Sequence, residues 1–229
     1  MTIADGEPLG FGRGPVAAQG WDQADTSIPE PSLQEVAMAI ERPSQPRLEP
    51  IDLDAVVDDE LRATLSTALT VDGRPLNIFG VLAHHPKLLK RFNLLGGFIL
   101  NKGLLPERER ELVILRVGWN SRAVYEFGQH TVIGKRCGLT DDEITALTRS
   151  PHEHDWSADD RALIALADDL ADDDCVSDGT WTALALRWSD AELVELLVVA
   201  GFYRLVSGFL NSAGVQLDDG VPGFPADCG

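Results

Sequence analysis

From Leu53 onward, apolar residues recur every three to four positions, the spacing of helices with one buried stripe. Leu53, Val56, Val57, Leu61 and Leu65 share a face, and Asp72-Gly73-Arg74-Pro75 breaks that helix. Shorter helices are predicted over 77–83, stopped near His85-Pro86, and over 87–100, ended by Asn101-Lys102-Gly103. Pro106 suits a first helical turn, with Glu107 and Glu109 matching its positive end, and that helix runs to about Trp119. The next runs from near Ser121 to near Gly138, a C-cap glycine. Thr140 with Glu143, Ser157 with Asp160 (a weaker, aspartate version) and Ser189 with Glu192 carry capping-box spacing. Residues 176–186 fit one more helix. No alternating run reads as a strand. The pattern predicts an all-α bundle of about seven to nine helices with a core hairpin at about 106–137.

Residues 1–48 are rich in Gly, Pro, Ser and Gln and read as an extended or disordered arm. Leu33, Val36, Ala37 and Ile40 allow a short helix within it. The arm could wrap a neighbouring subunit or be a mobile tail. The helical domain is expected over 49–218 and a C-terminal tail over 219–229.

Hydrophobic residues make up 44% of the chain, as in a water-soluble globular protein. The apolar run Leu193 to Phe202, interrupted by Glu195 and Gly201, reads as too short to span a bilayer. The N-terminus has no basic or apolar leader region, so a cytoplasmic location is expected. The net charge of −18 argues against nucleic acid and anionic membranes as partners. An acidic substrate would therefore need local positive charge. Cys137, Cys175 and Cys228 form no CxxC, which excludes a thioredoxin-like pair or a zinc knuckle at those positions. His152-Glu153-His154-Asp155 is a weak metal candidate, and neither metal nor cofactor is expected.

The segment 104–140 holds the candidate chemistry. Glu126 and His130 are four apart on one helix and share a face, with Ala123 one turn earlier. Glu111 lies on the preceding helix, and a short connection at Asn120-Ser121 makes the two antiparallel, so Glu111 could approach His130. A carboxylate beside an imidazole can orient the ring and tune its titration. The alternative is a surface Glu–His pair worth a few tenths of a kcal/mol. Val124, Phe127, Val132 and Ile133, with Leu112, Ile114, Leu115 and Trp119 opposite, favour a buried pair, because buried carboxylates need partners. A fainter pattern repeats Glu111-Leu-Val-Ile-Leu with Gly118-Trp119 as Glu195-Leu-Leu-Val-Val with Gly201-Phe202.

Residues 108–140, RERELVILRVGWNSRAVYEFGQHTVIGKRCGLT, resemble the core motif of the carboxymuconolactone decarboxylase family, related to the alkyl hydroperoxidase D proteins. Weaker likeness extends from Asn77 to Pro86 and on to the end of the helical region. The resemblance places Glu111 at the family glutamate and His130 at the family histidine. Its two cysteine positions fall on Ala123 and Glu126, so no thiol cycle is expected there. It implies a cofactor-independent lyase or isomerase acting on a lactone or related carboxylic acid. In it, His130 would donate a proton to carbon while Glu126 or Glu111 orients it. It also implies a homo-oligomer, a trimer or a hexamer built from trimers. Arg116 and Arg122 are candidates for holding a substrate carboxylate, or else structural or exposed ion-pair partners. His84, His85, Tyr125 and Trp119 are candidate pocket residues. The alternatives are a non-catalytic oligomeric scaffold of the same fold and a peroxide-linked antioxidant reductase.

Overall fold

A computed structural model describes residues 41–52, 56, 58–66, 68, 70–71 and 74–226. The arm up to Ile40, with its candidate helix, lies outside them, as do Leu53, Val57 and Cys228. The described residues carry nine α-helices and one minimal hairpin. They belong to one compact unit, Glu41–Gly229.

Helix α1 spans Asp59–Ser66 and starts later than its apolar stripe suggests. Asp58 is the reason, since its carboxylate accepts the Leu61 amide at 2.7 Å and fixes the helix start. A two-residue antiparallel pair, β1 Thr70–Val71 with β2 Arg74–Pro75, follows. It is too short for any alternating pattern to register. Helix α2 is Asn77–Leu82, and α3 is Pro86–Lys102. The helices α4 Glu107–Asn120 and α5 Val124–Arg136 form the expected hairpin. Arg122 takes φ 50° in the tight turn between them. Gly138 ends α5 at φ 99°, a conformation that disfavours a side chain.

Helices α6 Asp141–Ala146 and α9 Asp190–Ala213 both have complete reciprocal capping boxes, on Thr140 with Glu143 and on Ser189 with Glu192. Helix α7, Ala158–Asp173, has the Ser157 cap, and α8, Asp178–Ala185, is capped by Ser177. A 3-10 turn at Pro151–Glu153 links α6 to α7.

Helix α4 is the axis of the fold. Leu112, Val113, Ile114 and Leu115 are all sealed from water because α5, α7 and α9 surround it. The repeated glutamate motif resolves into two different tasks. Glu195 on α9 is buried and accepts the backbone amides of Leu104 and Leu105 at 2.7 and 3.3 Å, holding the entry to α4. Glu111 faces α5 instead.

Two expectations change. Helix α9 has 24 residues and is, by length and composition, long and apolar enough to cross a membrane. Here its Leu196, Val199, Tyr203, Val206 and Leu210 pack into the core. The domain limits also move. The Arg47 amide bonds the Ala213 carbonyl at 2.9 Å, so the segment before residue 49 already belongs to the body. Of the described residues beyond 218, Phe224 packs edge-on against Trp119 and Phe127, at 5.1 and 5.2 Å.

Candidate active site

The antiparallel hairpin brings three ionisable groups into line. Glu111 on α4 is fully buried, and its Oε2 lies 2.6 Å from Nδ1 of His130 on α5. Nε2 of the same ring lies 3.1 Å from Oε1 of Glu126, one helical turn earlier. Both ring nitrogens are thus occupied by carboxylates. Arg110 completes the line. Its Nε and Nη2 each lie 3.0 Å from Glu111 Oε1, and its Nη1 donates to the Leu100 carbonyl at 3.1 Å. With His130 protonated, two positive and two negative groups alternate and the cluster is neutral.

Burial would push the His130 imidazolium down. The charge and hydrogen bond of Glu111, then those of Glu126, outweigh it and raise His130 to about 10. Burial would likewise push Glu111 up. His130 and then Arg110 override it, so the Glu111 carboxyl sits below its usual range. Both neighbours of the ring are carboxylates, so a protonated His130 meets an acceptor at each nitrogen.

Glu126 and His130 line a cleft of about 940 Å³; Glu111 stands behind them, with Arg110 reaching the cleft. The walls are mainly apolar and aromatic, with Phe79, Phe92, Leu100, Val132, Ile133 and Phe202. Tyr203 from α9 meets the His130 ring edge-on at 4.9 Å. Burial, then the charges of Glu126 and Glu111, hold its phenol well above the ordinary tyrosine value, so it stays protonated. Its hydroxyl makes no hydrogen bond to a described residue.

Of the other residues expected from sequence, Tyr125 lines the cleft, but its hydroxyl is committed. It donates to Asp218 at 2.5 Å and accepts the Ile78 amide at 3.3 Å. Arg116 is not at the cleft. Its guanidinium grips both oxygens of Asp168, at 2.6 and 2.8 Å. It also donates to the Leu147 and Arg149 carbonyls at 2.7 and 2.8 Å, tying the end of α6 to α7. Arg122 is exposed at the hairpin turn, outside the cleft wall. His84 is exposed, its ring bonded to the Glu49 carbonyl at 2.9 Å, and His85 caps α3 by accepting the Leu88 amide. Trp119 packs under Phe224. These four also lie outside the cleft lining.

Sequence reasoning passed over Arg110, Gln129, Arg136, Cys137 and Tyr203, all of which line the cleft. Gln129, Ile133 and Arg136 continue the Glu126 face of α5 at spacings of three and four, a signal present in the sequence. Arg136 makes no ion pair with a described residue. Tyr203 arrives from a distant helix, and no local pattern announces it. Among the described residues, no group of three or more His, Cys, Asp or Glu side chains is arranged to hold a metal. His154 stacks on Trp156 at 4.5 Å.

A helical hairpin bearing a buried Glu–His–Glu line at the wall of an apolar cleft defines the class. Residues 86–169 match the model of the Carboxymuconolactone decarboxylase family. No curated protein matches the chain. Among solved structures, an uncharacterized peroxidase-related protein from Ralstonia eutropha, described as an alkylhydroperoxidase AhpD core, is 20% identical. It aligns with a TM-score of 0.67 over 76% of this chain and 93% of its own. A peroxidase-related protein from Silicibacter is 14% identical, with a TM-score of 0.67 over 79% of this chain and 96% of its own. The debrominase Bmp8 is 15% identical, with a TM-score of 0.62 over 75% of this chain and 92% of its own. At these identities the likeness establishes the AhpD-like fold.

Proposed function

We propose that this chain is a cofactor-independent, cytoplasmic proton-transfer enzyme of the decarboxylase type, acting on a flat, largely apolar lactone or unsaturated carboxylic acid. One observation carries this reading: both nitrogens of His130 are engaged by carboxylates, and of those two carboxylates Glu126 is the one that lines the cleft. Oε2 of Glu126 accepts no hydrogen bond from a described residue. Glu126 is then the acid–base group. His130 returns or withdraws the proton through Oε1, and Glu111 with Arg110 fixes the ring. The sequence suggested the reverse assignment, with His130 as donor and Glu126 as its support.

In a carboxymuconolactone-like substrate, the electrons of the departing carboxylate pass into the conjugated lactone carbonyl, and a proton is delivered to carbon. The protonated Tyr203 hydroxyl suits the resulting oxyanion. Arg136, the cleft cation without a described partner, suits the substrate carboxylate in place of Arg116 and Arg122. The aromatic walls favour a planar ligand. Peroxide-linked thiol chemistry fits less well, since Ala123 and Glu126 stand where the family motif would carry its cysteines.

The test is a panel of lactone carboxylic acids, read by CO₂ release and by deuterium incorporation from heavy water. Glu126→Gln should lower kcat by roughly 10²–10⁴-fold with folding intact. Unchanged turnover in that variant, or no turnover or exchange across the panel, would overturn the reading.

A further inference from the structure

Val221, which lines the cleft, lies outside the family-matched segment. Helix α9 ends at Gly214, in a left-handed conformation with φ 68°, and the chain returns across α5. It crosses at Gly128, where a Cβ would run into the Pro222 carbonyl oxygen and the Val221 side chain, so the close approach requires glycine. Phe224 anchors the far end against Trp119 and Phe127. This path delivers Asp218 to the outer side of the cleft wall. One carboxylate oxygen accepts the Tyr125 hydroxyl at 2.5 Å and the Gln129 Nε2 at 2.6 Å, while the other accepts the Asn77 amide at 3.0 Å.

An ionised carboxylate can only accept, so it dictates which end of the Gln129 amide it holds. The NH₂ end is taken by Asp218. The carbonyl oxygen is left for the cleft, which Gln129 lines along with Glu126 and His130. That oxygen accepts no hydrogen bond from a described residue. Tyr125 cannot substitute for it, because its hydroxyl already donates to Asp218 and accepts from Ile78.

We infer that Gln129 is a specificity residue selecting ligands with an O–H or N–H donor next to the reacting carbon, and that Asp218 is the positioning residue that fixes its polarity. A site built to accept a hydrogen bond discriminates against an isostere lacking the donor, because the acceptor is desolvated and left unpaired. The inference rests on the cleft being a small-molecule site, but it is read by binding and needs no turnover.

Indole and benzofuran are the probes. They are flat, neutral and nearly isosteric, and differ in offering an N–H or an ether oxygen. Titrations of the full chain followed by NMR should give indole about five-fold tighter binding than benzofuran, the worth of one net hydrogen bond. Gln129→Met should bring the ratio to about one. Asp218→Asn can donate to the Gln129 oxygen and turn the amide around, so the ratio should fall to one or below. Tyr125→Phe removes a neighbouring bond without touching Gln129 and should keep the preference. Equal binding by the wild-type chain, binding by neither probe, or a five-fold ratio retained in Gln129→Met or Asp218→Asn would overturn the inference. A preference surviving Gln129→Met but lost in Glu126→Gln would assign the acceptor to Glu126 and also overturn it. A preference that is kept while Glu126→Gln leaves turnover unchanged would count against the proposed reaction alone.

Discussion

Oε1 of Glu126 faces His130 Nε2 at 3.1 Å, and the far side of that ring is held by Glu111 at 2.6 Å. The ring is 7% exposed and Glu111 is sealed completely. A buried line of this kind makes stability depend on pH in a definite direction.

His130 rises from 6.5 to about 10 on folding. Its stabilising contribution is therefore complete below pH 6.5 and is lost as pH rises through about 10. Glu111 is lowered from 4.5, so its contribution is complete above that value and is lost as pH falls further. The stability difference between wild type and His130→Gln should be largest between about pH 4.5 and 6.5 and should shrink steadily toward pH 10. Comparing the two chains cancels the background of a protein with net charge −18. Denaturant titrations across that range check it; a difference that is flat from pH 6 to 10 would refute the shared charge. At pH 6, Glu111→Gln should cost about 3 kcal/mol, because it strands Arg110 and His130 in the interior.

The two arginines singled out by sequence should behave in opposite ways. Arg116→Met loses the bidentate bond to Asp168 and two carbonyl bonds, and should destabilise by about 2 kcal/mol or more. Arg122→Gly, at φ 50° in an exposed turn, should change stability by about 0.5 kcal/mol or less, toward stabilisation if at all. Neither should alter binding of a carboxylate ligand in the cleft. A binding defect in a folded Arg122→Gly chain would return that residue to the site.

These arginines mark the limit of what the sequence could yield. Helical period, Pro106, the capping boxes and Gly138 are local signals, so the hairpin and most of the helices were legible. Glu126 and His130 were legible for the same reason, being one turn apart on one helix. Glu111 followed from the shortness of the turn at Ser121. A cation near the motif carries no such signal. Whether Arg116 reaches the cleft or Asp168 depends on α7, and Tyr203 depends on α9, each placed only by tertiary packing. Asp218 was hidden for a further reason: it closes the stretch read as the helical domain, and no local pattern says that the chain there folds back over α5, where Gly128 lets it approach.

Cys137 lies on the cleft wall with its thiol 3.8 Å from Glu107. Burial, then the charges of Glu111 and Glu107, push this thiol up, so it is a weak nucleophile at neutral pH. Replacing Cys137, Cys175 and Cys228 together by serine should leave turnover within about two-fold, far from the 10²–10⁴-fold expected of a lost acid–base group. Alkylation at pH 7 should also modify exposed Cys175 faster than Cys137. Loss of activity in the folded triple variant would revive thiol chemistry.

Self-association should occur through α3. Leu94, Leu95 and Phe98 on that helix are 70%, 41% and 48% exposed. Leu94 also lines the cleft, so a second copy seated here would help to close it. Exposed apolar residues clustered on one helix mark an interaction face, and the family resemblance implies a trimer or a hexamer built from trimers. The net charge of −18 opposes this association, whereas apolar burial drives it. Raising salt should therefore strengthen the oligomer, opposite to the trend for an interface held by ion pairs. Light scattering at micromolar concentration should give a multiple of 24.8 kDa. Leu94→Glu with Phe98→Glu adds two charges per copy at the centre of the contact and should yield monomers. It should also weaken ligand binding while leaving the Glu111–His130 pair intact, which NMR titration of His130 would report. A monomeric wild-type mass at both low and high salt would rule out the interface.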